Sequence, residues 1–264
     1  MTDTGPRDIS PAASIVIPAY NEGHRLPDAL PKLVEAARAH ELEIVFVDDG
    51  SSDDTAALAE AALEAMPRAR VIRLDQNSGK GAAVRAGVLA ASGRKIVYMD
   101  ADLATTLDSL PGMLAALDTA DVAVGSRAAP GAVVRNASFT RIVMGRCYNR
   151  LVRAFTDIRL RDTQCGFKGY RADAARQLYQ LSTVDGFGFD VEVLALASRL
   201  RLRIVEVPVD WTAIQGTRVR PLVDAVKMTR DLIRTSREVK RLKLPEASAR
   251  LADQAEPGAE ALPA

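Results

Sequence analysis

Short apolar runs, each stopped by turn-forming or acidic residues, alternate through the first half of the chain with stretches whose apolar positions fall three and four apart. Ser14-Ile15-Val16-Ile17-Pro18 predicts a first strand that Pro18 ends. After the loop Ala19-Tyr20-Asn21-Glu22-Gly23, residues Leu26, Leu30, Leu33, Val34 and Ala37 define one face of a helix. A second strand over 42–47 stops at Asp48-Asp49-Gly50-Ser51-Ser52-Asp53-Asp54, a polar knot that turns the chain and caps a helix over 55–66. A third strand over 71–74 leads to Asn77-Ser78-Gly79-Lys80-Gly81 and a helix over 82–91. A fourth strand, Ile96-Val97-Tyr98-Met99, follows Ser92-Gly93, and a fifth covers 122–126. Alternation at this spacing predicts an α/β fold, a doubly wound and mostly parallel sheet with helices on both faces.

The second half breaks this rhythm. Residues 127–160 show no clear strand but set Arg135, Arg141, Arg146, Arg150 and Arg153 among Phe139, Ile142, Val143, Met144, Leu151, Val152 and Phe155, the pattern of basic amphipathic helices. A polar loop over 161–170 leads into a strand, 187–200 reads as a helix and 203–209 as a strand. Residues 221–244 form a second basic amphipathic pattern, with Leu222, Val226, Leu232, Ile233, Val239 and Leu242 against Lys227, Arg230, Arg234, Arg237, Lys240, Arg241 and Lys243. Residues 1–11 and the Ala/Glu/Pro-rich stretch 245–264 read as disordered ends around a single domain over 12–244.

Chemistry enters at the end of the fourth strand, where Asp100 and Asp102 flank Ala101. If the chain stays extended, side chains two apart face the same way. Two hard oxygen ligands at the carboxyl end of a sheet strand suit Mg²⁺ or Mn²⁺, with further oxygens from a diphosphate. The alternative is a loop whose acidic residues only cap the next helix.

Composition then narrows the partners. A formal charge of +1 over 264 residues gives no global attraction to nucleic acid, so an anionic partner must meet a local cluster. Cys147 and Cys165 lack metal-type spacing and read as packing residues in a reducing compartment, while His24 and His40 alone leave histidine chemistry unsupported. No apolar stretch is long enough to cross a bilayer and residues 1–10 lack a secretory core, so the expected location is the cytoplasm. The turn after the first strand has no Gly-x-Gly-x-x-Gly, which argues against nicotinamide binding.

Pro18-Ala19-Tyr20-Asn21-Glu22, Asp48-Asp49-Gly50-Ser51 and Asp100-Ala101-Asp102, in that order, resemble the nucleotide-sugar half of the family 2 glycosyltransferases. The resemblance continues through Asn77–Arg85 and narrows at Arg161-Asp162-Thr163-Gln164-Cys165-Gly166-Phe167-Lys168, Phe189-Asp190-Val191-Glu192 and Trp211-Thr212, where the chain is similar to the dolichyl-phosphate β-glucosyltransferases. It implies a GT-A type fold, with 12–126 as the nucleotide-sugar half, 127–220 as the acceptor half and 221–244 as a basic amphipathic helix on the acceptor side. It also implies inverting transfer of glucose from UDP-glucose to a polyprenyl phosphate, with Mg²⁺ or Mn²⁺, at the cytoplasmic membrane surface. GDP-mannose as donor, a soluble phosphorylated acceptor and a silent membrane-associated scaffold are the alternatives. The family's Asp-Ala-Asp-Gly-Ala-Thr-Lys stands here as Asp100-Ala101-Asp102-Leu103-Ala104-Thr105-Thr106, a departure that bears on the donor sugar and not on the metal site.

By the same resemblance Pro18, Tyr20, Glu22, Asp49, Lys80, Asp100 and Arg127 belong to the nucleotide-sugar site, with Asp100 and Asp102 holding the metal. Asp49 either accepts the imide N–H of uracil or caps a turn; Glu22 either belongs to the site or is a first-turn charge favoured by the helix dipole. Arg127 and Lys168 are candidates for a donor or acceptor phosphate. Catalytic roles fall to Asp102, Asp162 and Asp190, and Gln164, Lys168 and Glu192 are placed on the acceptor side. Asp162 is expected to position acceptor or sugar, and Asp190 or Glu192 to orient a loop or meet a sugar hydroxyl. Glu192 is otherwise a helix-surface charge, and Trp211 either a core residue or a sugar platform.

Overall fold

The computed structural model describes residues 11–214 and 221–242. Expectations for residues 1–10 and 243–264 lie outside the described residues. The first half follows the predicted alternation: β1 (Ala13–Ala19), α1 (Leu26–Ala39), β2 (Glu43–Asp48), α2 (Thr55–Leu63), β3 (Ala69–Arg73), α3 (Lys80–Ala90), β4 (Lys95–Met99), α4 (Leu110–Ala116) and β5 (Val122–Ser126). Then come β6 (Val133–Arg135), α5 (Phe139–Phe155), β7 (Phe167–Arg171), α6 (Ala172–Leu181), α7 (Phe189–Arg199), β8 (Ile204–Pro208), β9 (Asp210–Thr212) and α8 (Pro221–Arg241).

Seven strands form one sheet in the order β3-β2-β1-β4-β7-β5-β8, and β6 pairs with β9 in a small second sheet. The pairs β1–β2, β1–β4, β2–β3 and β5–β8 are parallel. Strand β7 runs antiparallel between β4 and β5. The sheet is mostly parallel, as strand–helix alternation predicts, and β7, which follows the excursion through β6 and α5, is its one antiparallel member. Strand order reverses about β1, so the crevice between β1 and β4 at their carboxyl ends is the position where open α/β sheets bind ligands.

Side-chain alternation builds a core on each face. Val16, Val45, Val47 and Tyr98 pack with Ala83, Val84 and Val88 of α3 on one side. On the other, Ile15, Ile17, Ile44, Phe46, Val97 and Met99 meet Leu26, Leu30 and Leu33 of α1. Strands covered on both faces read as continuous apolar runs, which is why β1, β2 and β4 were legible from sequence. Pro18 does not end β1; it sits inside the strand, opposite Val47. The exposed three-residue β6, the short α4 and β9 had no sequence assignment, and the strand expected after a loop over 161–170 instead begins inside that loop as β7 and is followed by helix α6. In α6 the signal was present, since Ala174, Ala175, Leu178 and Tyr179 form its buried face.

Helix α3 lies close on the sheet at Gly87, where an added Cβ would overlap Val16 Cγ1 and lie 2.9 Å from Val47 Cγ2. Both valines are fully buried, so neither can yield without moving a strand. Gly87→Ala is expected to destabilise the protein by about 1–3 kcal/mol through overpacking, read as a lower urea midpoint with an unchanged slope.

Candidate active site

The loop leaving β1 is stitched to the loop leaving β2. Asn21 adopts a left-handed conformation, its amide donates to Ser51 Oγ at 2.8 Å, and its side-chain oxygen accepts from the Ser52 amide at 2.7 Å. The Glu22 amide donates to Thr55 Oγ1 at 2.8 Å, and Asp48 accepts from the Ser51 amide. These ties fix the loop that carries Tyr20 beyond the buried Pro18. Glu22 is an ion-pair partner of Arg25, with Oε2 2.6 Å from Nη1. Burial and the Asp100 charge raise the Asp102 pKa, and the charge of Arg25 offsets a small part of that rise. Sequence reasoning missed Arg25; the signal was a cation at a helix N-terminus, where the dipole disfavours it.

Of the two roles its sequence position allowed, Asp49 takes the turn tie in this structure. It is 3% exposed, and its two oxygens accept from the amides of Ser78 and Gly79 at 2.7 and 2.9 Å. Burial raises its pKa against the lowering by these amides. The result is a fixed Asn77–Gly81 turn, which delivers Lys80 to the crevice. The N-terminal amides of α3 are already occupied, because the Asp185 carbonyl accepts from Gly81 at 2.7 Å and Ala82 at 3.3 Å. Lys80, not the helix dipole, is therefore the cationic feature here. Its ammonium lies 2.6 Å from Asp100 Oδ1. Burial lowers the Lys80 pKa, but the charges of Asp100, Asp190 and Asp102 outweigh it and hold it above its ordinary value.

The two acidic residues meet by a route other than strand alternation. Extension ends at Met99, and a turn closed by the Leu103 amide on the Asp100 carbonyl, 3.1 Å, brings Asp102 round beside Asp100. Leu103 takes the left-handed conformation that closes it, and Asp102 Oδ1 accepts from the Ala104 amide at 3.0 Å. Burial and then the neighbouring Asp100 charge raise the Asp102 pKa. Asp100 Oδ1 is inaccessible to water and is met by the Lys80 ammonium. Two carboxylates crowded into one turn, both hard oxygen donors, fit a hard divalent cation. Among the described residues no three His, Cys, Asp or Glu side chains converge, so Asp100 and Asp102 are the carboxylates such an ion would find there.

Across the crevice Arg127, just beyond β5, and Asp162 form a clamp. Arg127 Nε and Nη2 donate to the two Asp162 oxygens at 2.7 and 3.0 Å, and the Arg127 amide adds a bond of 3.1 Å. The Gln164 amide also donates to Asp162, at 3.0 Å, so Gln164 enters the site through its backbone. Burial alone would raise the Asp162 pKa, yet the Arg127 hydrogen bonds and charge hold it below the ordinary carboxylate range. Asp162, expected to position acceptor or sugar, is here the support of Arg127.

Lys168, Asp190 and Glu192 lie behind the site rather than in it. Lys168 is fully buried and cannot reach a phosphate; it pairs with Asp190 at 2.6 Å and donates to the Cys165 carbonyl at 2.7 Å. The Tyr98 hydroxyl donates to the same Asp190 oxygen. Asp190, placed among the catalytic groups by resemblance, is thus a buried counter-ion. Glu192 is 4% exposed, which excludes the surface-charge reading, and accepts from the Thr183 and Val184 amides at 3.0 and 2.9 Å. It orients the 182–188 loop whose Asp185 carbonyl meets α3.

A sequence profile of Glycosyl transferase family 2 matches residues 14–179. This chain belongs to glycosyltransferase family 2. It is 34% identical over 237 residues to a dolichyl-phosphate β-glucosyltransferase of Dictyostelium discoideum, covering 84% of this chain and 72% of the relative. A Drosophila melanogaster protein of the same name is 36% identical over 236 residues, with 83% and 72% covered. The glycosyltransferase shares its fold with glucosyl-3-phosphoglycerate synthase of Mycobacterium tuberculosis, at a TM-score of 0.63 and 21% identity over 87% of this chain and 80% of that one. That neighbour has been crystallised with Mn²⁺, UDP and glucosyl-3-phosphoglycerate. The architecture is therefore of the GT-A type.

Two consequences of the site are open to measurement. An added Cβ at Gly166 would overlap the Asp100 carboxylate, so Gly166→Ala should cut glycosyl transfer at least tenfold while far-ultraviolet circular dichroism stays unchanged. Lys168→Met leaves Asp190 charged and buried without its partner and should cost about 3–5 kcal/mol of stability in urea unfolding.

Proposed function

We propose that this glycosyltransferase moves glucose from UDP-glucose to a polyprenyl phosphate with inversion, using Mg²⁺ or Mn²⁺ held by Asp100 and Asp102. The observation that carries the reading is a single sheet edge bearing an acidic turn beside Lys80 and, facing it, the Arg127 clamp. The choice of glucose and of a lipid phosphate rests on the names of the relatives. The cation would neutralise charge on the leaving diphosphate, and Lys80 would share that task.

An acceptor phosphate oxygen attacks the sugar C1, the bond from C1 to the UDP oxygen breaks, and its electron pair leaves with the diphosphate. No proton need move. With a second pKa of about 6, a phosphate monoester is mostly dianionic at neutral pH and serves as nucleophile without a base. That removes any need for Asp162 to act as one, in keeping with its lowered pKa.

A lipid acceptor requires the enzyme to meet a membrane, since each buried CH₂ is worth about 0.8 kcal/mol. Among the described residues no helix is long and apolar enough to cross one. The two basic helices differ in how they serve a surface. Leu232 and Val239 of α8 are buried in the core, and of its described large apolar side chains Val226 is the exposed one. The first turns of α5 expose Phe139, Ile142, Val143 and Met144, with Phe139 79% exposed, beside Arg146 and Arg150. We place reversible adsorption to the cytoplasmic leaflet at α5, with the cations of α8 contributing through charge.

UDP-glucose should yield a lipid-extractable glucoside with a polyprenyl phosphate, and GDP-mannose should not; the reverse preference would replace the donor. Asp102→Asn should lower turnover at least a hundredfold with the fold intact, and near-parental activity at saturating Mn²⁺ would refute the metal role. Anionic liposomes should sediment the protein at low salt and release it at high salt. Phe139→Ser combined with Met144→Ser should weaken sedimentation while sparing transfer to short-chain farnesyl phosphate.

A further inference from the structure

The Arg127 guanidinium is held on more than one side. Asp162 takes its Nε and Nη2 edge, while its central carbon lies 5.2 Å from the centre of the Trp211 ring, within cation–π range. No described residue accepts a hydrogen bond from Nη1, and Arg127 follows β5 as Asp100 follows β4, on either side of β7 at the same edge of the sheet, so the guanidinium stands across from the acidic turn. The clamp is itself braced. Glu206 Oε1, on β8, accepts from the amides of Arg161 and Asp162 at 2.9 and 3.2 Å and fixes the loop that presents the carboxylate.

Trp211 is joined to the acidic turn as well. Its strand β9 bridges to Thr105; the Thr212 amide donates to the Ala104 carbonyl at 2.8 Å, and the Thr106 amide to the Asp210 carbonyl at 2.9 Å. Asp102 bonds the Ala104 amide in the same short loop. One indole therefore lies under Arg127 while its backbone anchors the segment that carries Asp102. An arginine held by a bidentate carboxylate and an aromatic face has lost its rotamer freedom before a ligand arrives, and its unused N–H edge is the part left to bind an oxyanion.

We propose that Trp211 is a positioning residue for the reaction: it holds Arg127, at a set distance from the acidic turn, in the orientation that receives a phosphate group, and that group is the acceptor's phosphate monoester. The proposal deepens the transferase reading above and rests on it. Trp211 is a buried member of the hydrophobic core, one of the two readings its sequence position allowed, and touches the reactants only through Arg127 rather than as a sugar platform.

The test is a double-mutant cycle on the full chain, with geranyl phosphate as probe and calorimetry as readout, in the presence of Mn²⁺ and UDP. Trp211→Leu should weaken geranyl phosphate binding about tenfold and Trp211→Phe, which keeps an aromatic face, about threefold. Arg127→Lys, which can neither fork nor stack in the same way, should weaken it at least tenfold. In the Arg127→Lys background either tryptophan substitution should add less than twofold, because the tryptophan acts through the arginine. Affinity for UDP with Mn²⁺, measured alone, should stay within twofold in every variant.

Equal losses from the tryptophan substitution in both backgrounds would mark a general structural role and overturn the proposal, as would unchanged or absent geranyl phosphate binding. A loss confined to UDP affinity would assign the clamp to the donor and overturn the acceptor assignment. If Trp211→Leu does not fold, Trp211→Phe decides by the same criterion. Transfer from UDP-glucose to farnesyl phosphate, assayed separately with the parent protein, tests the transferase reading: binding that follows the cycle without glucosyl transfer would sink that reading and leave the positioning role standing.

Discussion

The arrangement of the site depends on one strand running against its neighbours. Parallel strands bring only their carboxyl ends to the edge where ligands bind, and β1, β2, β4 and β5 do so with Pro18, Asp48, Asp100 and Arg127 at or just beyond their ends. Because β7 is antiparallel between β4 and β5, the segment entering it, from Asp162 to Lys168, reaches that same edge. Gly166 then lies against Asp100, its carbonyl accepting the Asp100 amide at 3.1 Å. The insertion is pinned from behind by Lys168, whose buried ammonium joins β7 to Asp190 on α7 and lies near Tyr98 of β4. A buried pair of this kind adds little net stability over apolar residues, but breaking it is costly, so it favours this register over a slipped one.

Charge neutralisation sorts the carboxylates into those that can act and those that cannot. Asp162 and Asp190 each have a dedicated cation in the protein, and both are buried. Asp49 and Glu192 are spent on backbone amides. Asp100 and Asp102 share Lys80, while the more distant Arg25 is itself paired with Glu22, which leaves an excess of negative charge on the turn. A protein of net charge +1 thus maintains strong local fields by placing its cations a few ångströms from particular carboxylates.

The two basic amphipathic helices show the same separation of pattern from outcome. Both carry basic side chains between apolar residues, yet α8 buries Leu232, Thr235 and Val239 whereas among the described side chains of α5 only Val152 is fully covered. The Phe155 carbonyl accepts from Ser236 Oγ at 2.5 Å, so α5 is tethered to α8 at its C-terminal end while its first turns stand exposed.

What the sequence by itself determined was local. Continuous apolar runs marked the doubly covered strands, helical spacing marked α1 and α8, and turn residues after each strand located Asn21, Asp49, Gly79 and the acidic pair at Asp100 and Asp102. These signals depend on periodicity and backbone preference within a few residues, and they sufficed for the fold class and the edge that holds the site. Which side chains meet was decided only by the tertiary structure. Arg127 with Asp162, Lys168 with Asp190, Asp49 with Ser78 and Arg127 with Trp211 are partners separated by many residues, and each partner looked equally able to serve a ligand. Burial and ion pairing removed Lys168, Asp190 and Glu192 from the open site and gave Trp211 a cation to carry. A charge's availability depends on its nearest counter-ion and its exposure to water, and neither exists until the strands have been ordered and β7 turned against its neighbours.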